Sequence, residues 1–566
     1  MEFSTLNGYK VKDKKAIRYY DTVADMKSDT TLKNGMYVKT KGYYESEDGG
    51  SAEYIIVNDN TLVDDGGSIH GLTNGLRAKL IIDKSEINAM QFGIKGNGTF
   101  DDSIPIQNAI NTACSYIIEK TSSTGSFSGP IKIFLPNIKM YIKTRIESNE
   151  AITIEGSGVN STLVLSDDID YMIKIKKDTN TKTTNEETHI EGGGIKNIRF
   201  DGMSRLYSCT SAVYVGHIDH FILENLYFMC IKGKCIELEG AREGIVNNIF
   251  TRFCGVYGSG NIEIIPNSVS GGDTSNLSIG NNWNIVFPFG NAIKFDTGEI
   301  KYINNVIIHG MFNGIINSLE TYFGSNDYED ENNDFIYLNN SHPNISNLQA
   351  VYCPDKSLYL NIINSNDVSL SNVQLQTHKS TQESHGGYGN FIKLSNNSII
   401  YLNDVKCTMG SQDGDIFVVD STSKVYGHIS NQNESYLNTD IENFVRTNKF
   451  TIEGEKAQPV RFGYGKAINF KTFNTNCRAN IVFGQSNPET SLQAIQPDAL
   501  YIGTNQYRSR AVVGIPDDAY LVLPQVTGNN LSYINHTIFF DENNNLKVNI
   551  YNPTTQGYET KTIKFE

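Results

Sequence analysis

Between residues 195 and 407 apolar and polar positions alternate strand after strand, and one hexapeptide recurs: apolar, any residue, Asn or Asp, apolar, any, apolar. Its copies are IKNIRF, LENLYF, VNNIFT, WNIVF, INNVII, ISNLQA, LSNVQL and LNDVKC. Their polar members are Asn197, Asn225, Asn248, Asn284, Asn305, Asn347, Asn372 and Asp404, at steps of 28, 23, 36, 21, 42, 25 and 32 residues. A two-residue period belongs to strands, where successive side chains point to opposite faces. A repeat near two dozen residues with irregular excess predicts stacked rungs with loops inserted into some of them. One rung cannot bury its own apolar face, so neighbours must stack and share a core. The pattern predicts an all-β chain built around a single-stranded parallel β-helix.

A second strand precedes the hexapeptide in each rung: AVYVGH, CIELEG, NIEIIP, AIKFDTG, FIYLNN, LYLNII and FIKLSN. Alternation sends Val213, Val215, Ile236, Leu238, Ile262, Ile264, Ile293, Phe295, Ile336 and Leu338 inward. The outward file then reads Tyr214; Glu237 and Glu239; Glu263; Lys294 and Asp296; Tyr337 and Asn339; Tyr359 and Asn361; Lys393. Carboxylates in successive rungs flanked by tyrosines suit an oligosaccharide groove.

The flanks read differently. Residues 1–85 form a small β-rich unit with a turn cluster at DGGSAEYIIV. In FGIKGNGTFDDSIPIQNAINTACSYI a glycine turn leads to Asp101 and Asp102, then Ile106, Ala109, Ile110, Ala113 and Ile117 at helical spacing. Asp102 or Ser103 would cap this helix, which would close the end of the solenoid at residue 86 and shield its strand edge. The β-helix runs to about 440. Beyond it, 441–566 alternates short strands with polar turns and predicts a β-sandwich-like C-terminal domain.

The stretch FGIKGNGTFDDSIPIQNAI resembles the opening motif of pectate-lyase-like β-helix proteins, a group that includes polygalacturonases and phage tailspike depolymerases. The preceding MYVKTKGYYESEDGGSAEYIIVND resembles the N-terminal virion-attachment module of phage tail proteins. The resemblance implies a right-handed, pectin-lyase-like helix, a homotrimer, and attachment to the phage tail through the N-terminal module. It also implies a virion protein made in the host cytoplasm, binding and cleaving a bacterial surface polysaccharide. Within that group the DD pair and the GIKGNG glycines belong to the end-cap turn. GIKGNG lacks the Lys-Ser/Thr ending of a nucleotide loop.

Charge narrows the partners. Lys and Arg number 48 against 63 Asp and Glu, a net charge of −15, which argues against nucleic acid and anionic membrane. No apolar run reaches transmembrane length, and MEFSTLNGYKVKDKK has no apolar signal core. The eight cysteines (Cys114, Cys209, Cys230, Cys235, Cys254, Cys353, Cys407 and Cys477) show no metal-type spacing. They read as buried thiols of a chain folded in a reducing cytosol.

Candidate chemistry centres on Glu237, Glu239, Glu263 and Asp296. Neighbouring rungs lie about 4.8 Å apart, so Glu237 or Glu239 facing Glu263 would approach the roughly 5 Å spacing of a retaining glycosidase. Glu239 with Asp296 would fall nearer the inverting range of about 6.5–9.5 Å. Crowded carboxylates are expected to raise one another's pKa. Tyr214, Arg242, Lys294, Tyr337 and Tyr359 would bind substrate. No cofactor is needed for hydrolysis, and no metal ligands are assigned. A polysaccharide lyase would instead want Ca²⁺ among the carboxylates, with Lys294 or Arg242 as base. Cleavage of wall teichoic acid, or glycan binding without cleavage, would use the same groove. The aspartate motifs of polygalacturonases do not carry over, because Gly233 and Lys234 stand before Cys235 and Ile236. His309 and Trp283 read as structural. Two loops offer further groups: Glu320, Asp327, Glu329, Asp330, Glu331 and Asp334, read as a solvated acidic run, and His378, Glu383, His385 and Tyr388, which match no strong metal signature.

Overall fold

The computed structural model describes residues 17–82, 86–124, 130–177, 189–268, 275–310, 334–351, 358–376, 391–408, 417–420 and 422–430, with short strands at 5–6, 9–10 and between 467 and 562. Two parallel sheets, of 17 and ten strands, make the body of the molecule. In the larger, Gly194–Asp201 pairs with Ile222–Met229, then Arg242–Arg252, Asn276–Val286, Ile303–His309, Asn344–Val351, Asn366–Gln376 and Ile399–Thr408, each parallel to the last. This is a parallel β-helix.

The hexapeptide asparagines are corners inside these strands. Pairing skips them, passing from Lys196↔Glu224 to Ile198↔Leu226. Each has a left-handed backbone, as at Asn197 (φ 58°), Asn225 (55°) and Asn248 (53°), a conformation Asn tolerates far better than branched residues. Their amides form a ladder. Asn225 Nδ2 donates to Asn197 Oδ1 at 2.8 Å, Asn248 to Asn225 at 2.9 Å, and Asn372 to Asn347 at 2.6 Å. In the fourth rung the corner is Asn282 (φ 55°), not the expected Asn284. Asn282 Nδ2 donates to Asn248 Oδ1 at 2.9 Å, and Asn305 to Asn282 at 3.1 Å. Trp283 therefore takes the inward place opposite Ile249, fully buried, its Nε1 donating to the Val246 carbonyl at 2.9 Å. Another corner carries a serine ladder, in which Ser365, Ser398 and Ser423 hydroxyls each accept the N–H of the serine one rung back at 3.1 Å.

All ten residues expected to point inward are buried. Stacked aromatics join rungs, including Phe200 on Phe228 with centroids 4.9 Å apart. Helix Ser103–Thr124 closes one end, burying Ile106, Ala109, Ile110, Ala113 and Ile117. Asp101 accepts the Ser103 N–H at 3.1 Å, while buried Asp102 takes the N–H groups of Lys95 (2.8 Å) and Tyr141 (2.9 Å). The DD pair thus binds the glycine turn, the helix start and the first rungs together.

Ahead of the helix stands a five-stranded sheet of Ile17–Tyr20, Tyr37–Thr40, Ala52–Val57, Ile69–Gly71 and Arg77–Leu80. It is bonded to the cap: Tyr44 Oη donates to the Gly93 carbonyl at 3.0 Å, and Asn108 Nδ2 to that of Asp65 at 2.6 Å. Among the described residues after 440 the strands are antiparallel, in sheets of three and four. Cys114, Cys209, Cys230, Cys235 and Cys254 are free thiols, and burial pushes Cys209 up to about 12. Among the described residues no helix is long and apolar enough to cross a membrane.

Candidate functional site

The ten-stranded sheet carries the outward file. Register aligns Lys174, Tyr214, Glu237, Glu263, Lys294, Tyr337, Asn361 and Lys393, one per rung over eight rungs. At ~4.8 Å per rung the file is ~34 Å long, room for several sugar units. Lys174 and Lys176 extend the alternation upstream in YMIKIKK, a rung before the first strand of the sequence pattern.

The carboxylates lie low and lysines lie over them. Glu237 accepts from Lys234 Nζ at 2.9 Å and from the Ser211 hydroxyl. Glu263 accepts the Gly260 N–H at 2.7 Å, with Lys234 Nζ 3.5 Å and Lys294 Nζ 3.4 Å from its other oxygen. Because Lys234 reaches both, Glu237 and Glu263 stand closer than the ~6.5 Å at which the inverting range begins. Glu239 does not join them. It pairs in register with Ile265 and binds Lys176 Nζ (2.9 Å), the Tyr214 hydroxyl, and the Ser268 N–H (2.8 Å) and hydroxyl.

The expected mutual raising of carboxylate pKa values does not occur at Glu239. Burial pushes its carboxyl up, but the hydrogen bonds from Ser268 and Lys176 outweigh this and hold it below the usual range. Alternation sets carboxylate against carboxylate and gives no sign of Lys176 and Lys234 between them. Lys294 is pushed down by burial and up by Glu263 and Asp296, with a net rise, so it stands as an ammonium. Its Nζ also lies 3.4 Å from Asp296, which at 24% exposure is the most open of the four candidate acids.

Two expected groove residues lie elsewhere. Tyr359 is buried, its ring stacked on Phe391 (4.9 Å) and edge-on to Phe335 (5.5 Å), with its hydroxyl donating to the Gln376 carbonyl at 2.5 Å. Tyr337 pairs with Asn361, so Tyr359 sits level with Phe335 at the start of the strand, where the chain still turns inward. Arg242 begins a strand of the larger sheet, past the corner at Gly240, and clasps Asp219 with Nε (2.7 Å) and Nη2 (2.6 Å). His309 packs edge-on to Phe287 in the larger sheet, centroids 5.2 Å apart.

Asp334, read as part of a solvated run, is buried at the start of the Tyr337 strand. Its carboxyl accepts the Leu358 N–H (2.9 Å) and Asn361 Nδ2 (2.7 Å), yet burial outweighs both and pushes it up. Alternation gives no signal here, because Asp334 and Phe335 are both buried ahead of the strand that begins at Ile336, and the bond from Asn361 sets the Asp334 carboxyl beside the file. Glu320, Asp327, Glu329, Asp330, Glu331, His378, Glu383, His385 and Tyr388 lie outside the described residues. Among the described residues no cluster of three or more His, Cys, Asp or Glu side chains could hold a metal ion.

Comparison of the whole chain with solved structures finds ORF18 of Geobacillus virus E2, with 13% identity over 97% of this chain and 100% of that one, TM-score 0.54. It also finds the gp42 tailspike of Acinetobacter phage vb_AbaP_AS12, with 11% identity over 97% and 94%, TM-score 0.53. The chain shares the parallel β-helix fold of these proteins. At this identity the similarity concerns the backbone path, and the chemistry must come from the file itself. No protein-family model and no curated protein matches the sequence.

Proposed function

We propose that this tailspike-like chain is a depolymerase that hydrolyses a glycosidic bond of a bacterial surface polysaccharide lying along the file, at the Lys294 rung. The observation that carries the reading is the contrast between two carboxyls flanking that rung. Glu263 reaches back to the Gly260 N–H between two ammoniums, the setting of a general base. Asp334 is buried with its carboxyl pushed up, the setting of a general acid. Pairs held in opposite environments are how acid and base roles divide.

Glu263 pairs with Lys294, and Lys294 with Tyr337, so the strand that Asp334 leads into lies two rungs from Glu263. That is roughly 9–10 Å, at the upper end of the inverting range of about 6.5–9.5 Å. In this scheme Glu263 takes a proton from water as the water oxygen bonds to the anomeric carbon. The glycosidic C–O bond breaks and Asp334 protonates the departing oxygen. Asp296, nearest to solvent, orients the sugar with Lys294. A lyase using Lys294 as base is disfavoured because that lysine is held as an ammonium.

The test is digestion of purified capsular and exopolysaccharides with the full chain. New reducing ends are expected. Unsaturated uronate products would mean a lyase, and phosphate-bearing fragments lost on chelation a teichoic acid enzyme. Cell binding with no fragments from any glycan would leave a receptor-binding protein and sink the enzymatic reading. Glu263→Gln and Asp334→Asn should each cut the rate about 100-fold or more with binding retained; full rates in both would remove them from the site.

A further inference from the structure

The vertical order of charge in the file is inverted relative to the chain. Overall the protein carries −15, yet along the file the three glutamates are sealed and the lysines over them are more open, while Asp296, at 24% exposure, is paired with Lys294. Glu237, Glu239 and Glu263 side chains are each 4% exposed, against 15% for Lys234 and 20% for Lys176 and Lys294. Each of these three buried glutamates is matched by a lysine, which cancels its field before it reaches solvent.

Lys174 and Lys393 are left over: one rung before Lys174 the file continues with Glu147, whose carboxylate is held by Arg145 at 3.0 Å, and one rung after Lys393 it continues with Val418. Among the described residues neither has a carboxylate within ion-pair distance. Lys174 Nζ hangs over the rings of Tyr171 and Tyr214, 5.5 and 5.8 Å from their centroids. Lys294 takes the same pose 6.0 Å over Tyr337. A cation held at a tyrosine face presents both parts needed by a charged sugar: a flat apolar surface for the ring and an ammonium for its substituent.

From these positions we infer that the groove is built for an anionic glycan, one bearing carboxylate or phosphate groups, with Lys174 and Lys393 as the residues that select it. The inference rests on the groove being the glycan site. A neutral polymer would leave these ammoniums unanswered, whereas an acidic one turns each into a charge-assisted hydrogen bond. The negative remainder of the surface would then repel the polymer from everywhere except the file.

The experiment uses the full chain on an array of acidic and neutral bacterial capsular polysaccharides. Each acidic glycan that binds is tested again after carboxyl reduction and, separately, after dephosphorylation. Binding confined to acidic glycans, and abolished by one of the two treatments, is the expected result, and the effective treatment names the anion. Lys174→Gln and Lys393→Gln should each weaken binding about ten-fold and make it less sensitive to salt. Lys174→Arg should restore both, and thermal melts should change little, because neither lysine is in an ion pair and Lys174 makes only long contacts with the Tyr171 and Tyr214 rings. Binding or cleavage of neutral glycans, or binding that survives both treatments, overturns the inference and leaves the depolymerase reading standing. Binding to no glycan overturns both.

Discussion

Substitution of Asn248 tests the corner that repeats through the solenoid. Its side chain is exposed, its φ is 53°, and it sits mid-ladder, donating to Asn225 and accepting from Asn282, both at 2.9 Å. Any apolar replacement loses two solvent-accessible hydrogen bonds, at the low end of the usual range, about 0.5 kcal/mol each. Alanine adds about 1–2 kcal/mol for the left-handed backbone, for a total of about 2–3 kcal/mol. Glycine escapes that strain but adds about 0.5–1 kcal/mol of chain entropy, and so loses about 1.5–2 kcal/mol. Valine, with a branched Cβ, should be worst, because it is a true outlier at positive φ. The expected order of stability is Asn, Gly, Ala, Val. An ordinary exposed strand position would give nearly the reverse, with Val best and Gly worst. Trp283, the only tryptophan, stands on the adjacent rung beside Ile249, so its fluorescence in a urea titration reports the loss locally. An Asn248→Val protein as stable as the parent would refute the account of the corner.

Other expectations follow from single groups. Because burial raises the Asp334 pKa, the rate carried by its protonated form should fall as pH rises through that raised value. Asp334→Asn should lack this alkaline limb in a pH–rate profile, and an unchanged limb would exclude Asp334 as the acid. Glu239 has a folded-state pKa below its unfolded one, so its contribution to stability is present above the ordinary carboxylate range and lost as pH falls through the folded value. Glu239→Gln should flatten the loss of melting temperature on acidification, while an identical acid profile would deny the carboxylate its partners. Tyr359→Phe leaves the Gln376 carbonyl without its donor and should cost about 1–2 kcal/mol. Tyr359→Ala should cost about 3–5 kcal/mol in chemical denaturation. If Tyr359→Ala instead abolished glycan binding with unchanged stability, Tyr359 would face the groove after all.

The fold was legible because burial in a solenoid enforces strict alternation: Ile236 and Leu238 had to go inward, so Glu237 had to go out. Where the chain turns a corner, alternation stops being a guide. The apolar frame WNIVF favours Asn284 over Asn282, but the left-handed position is set by the amide ladder and by where a Trp can fit. Tyr359 and Arg242 escape the pattern for the same reason, each lying just past a bend. The lysines over the acids are hidden for a different one. Lys234 lies three residues from Glu237 along the chain, and Lys176 reaches Glu239 across two rungs; only folded geometry shows that both charges answer carboxylates. Asp334 looks solvated by the company it keeps in sequence, since burial of one member of an acidic run leaves no trace in composition.

The left-handed asparagines also bear on how such a molecule can vary. Between one corner and the next the chain travels as few as 23 residues or as many as 42, yet it returns to the same backbone angle and the same amide contact with the rung below. Length gained in one arc is not passed on to its neighbours. An arc beside the file could therefore be exchanged for a longer or shorter one while the spacing of Lys174, Glu263, Lys294 and Lys393 held constant. If the proposed function holds, a lineage following a changing surface glycan could thus revise the walls of the groove arc by arc and leave its floor unaltered.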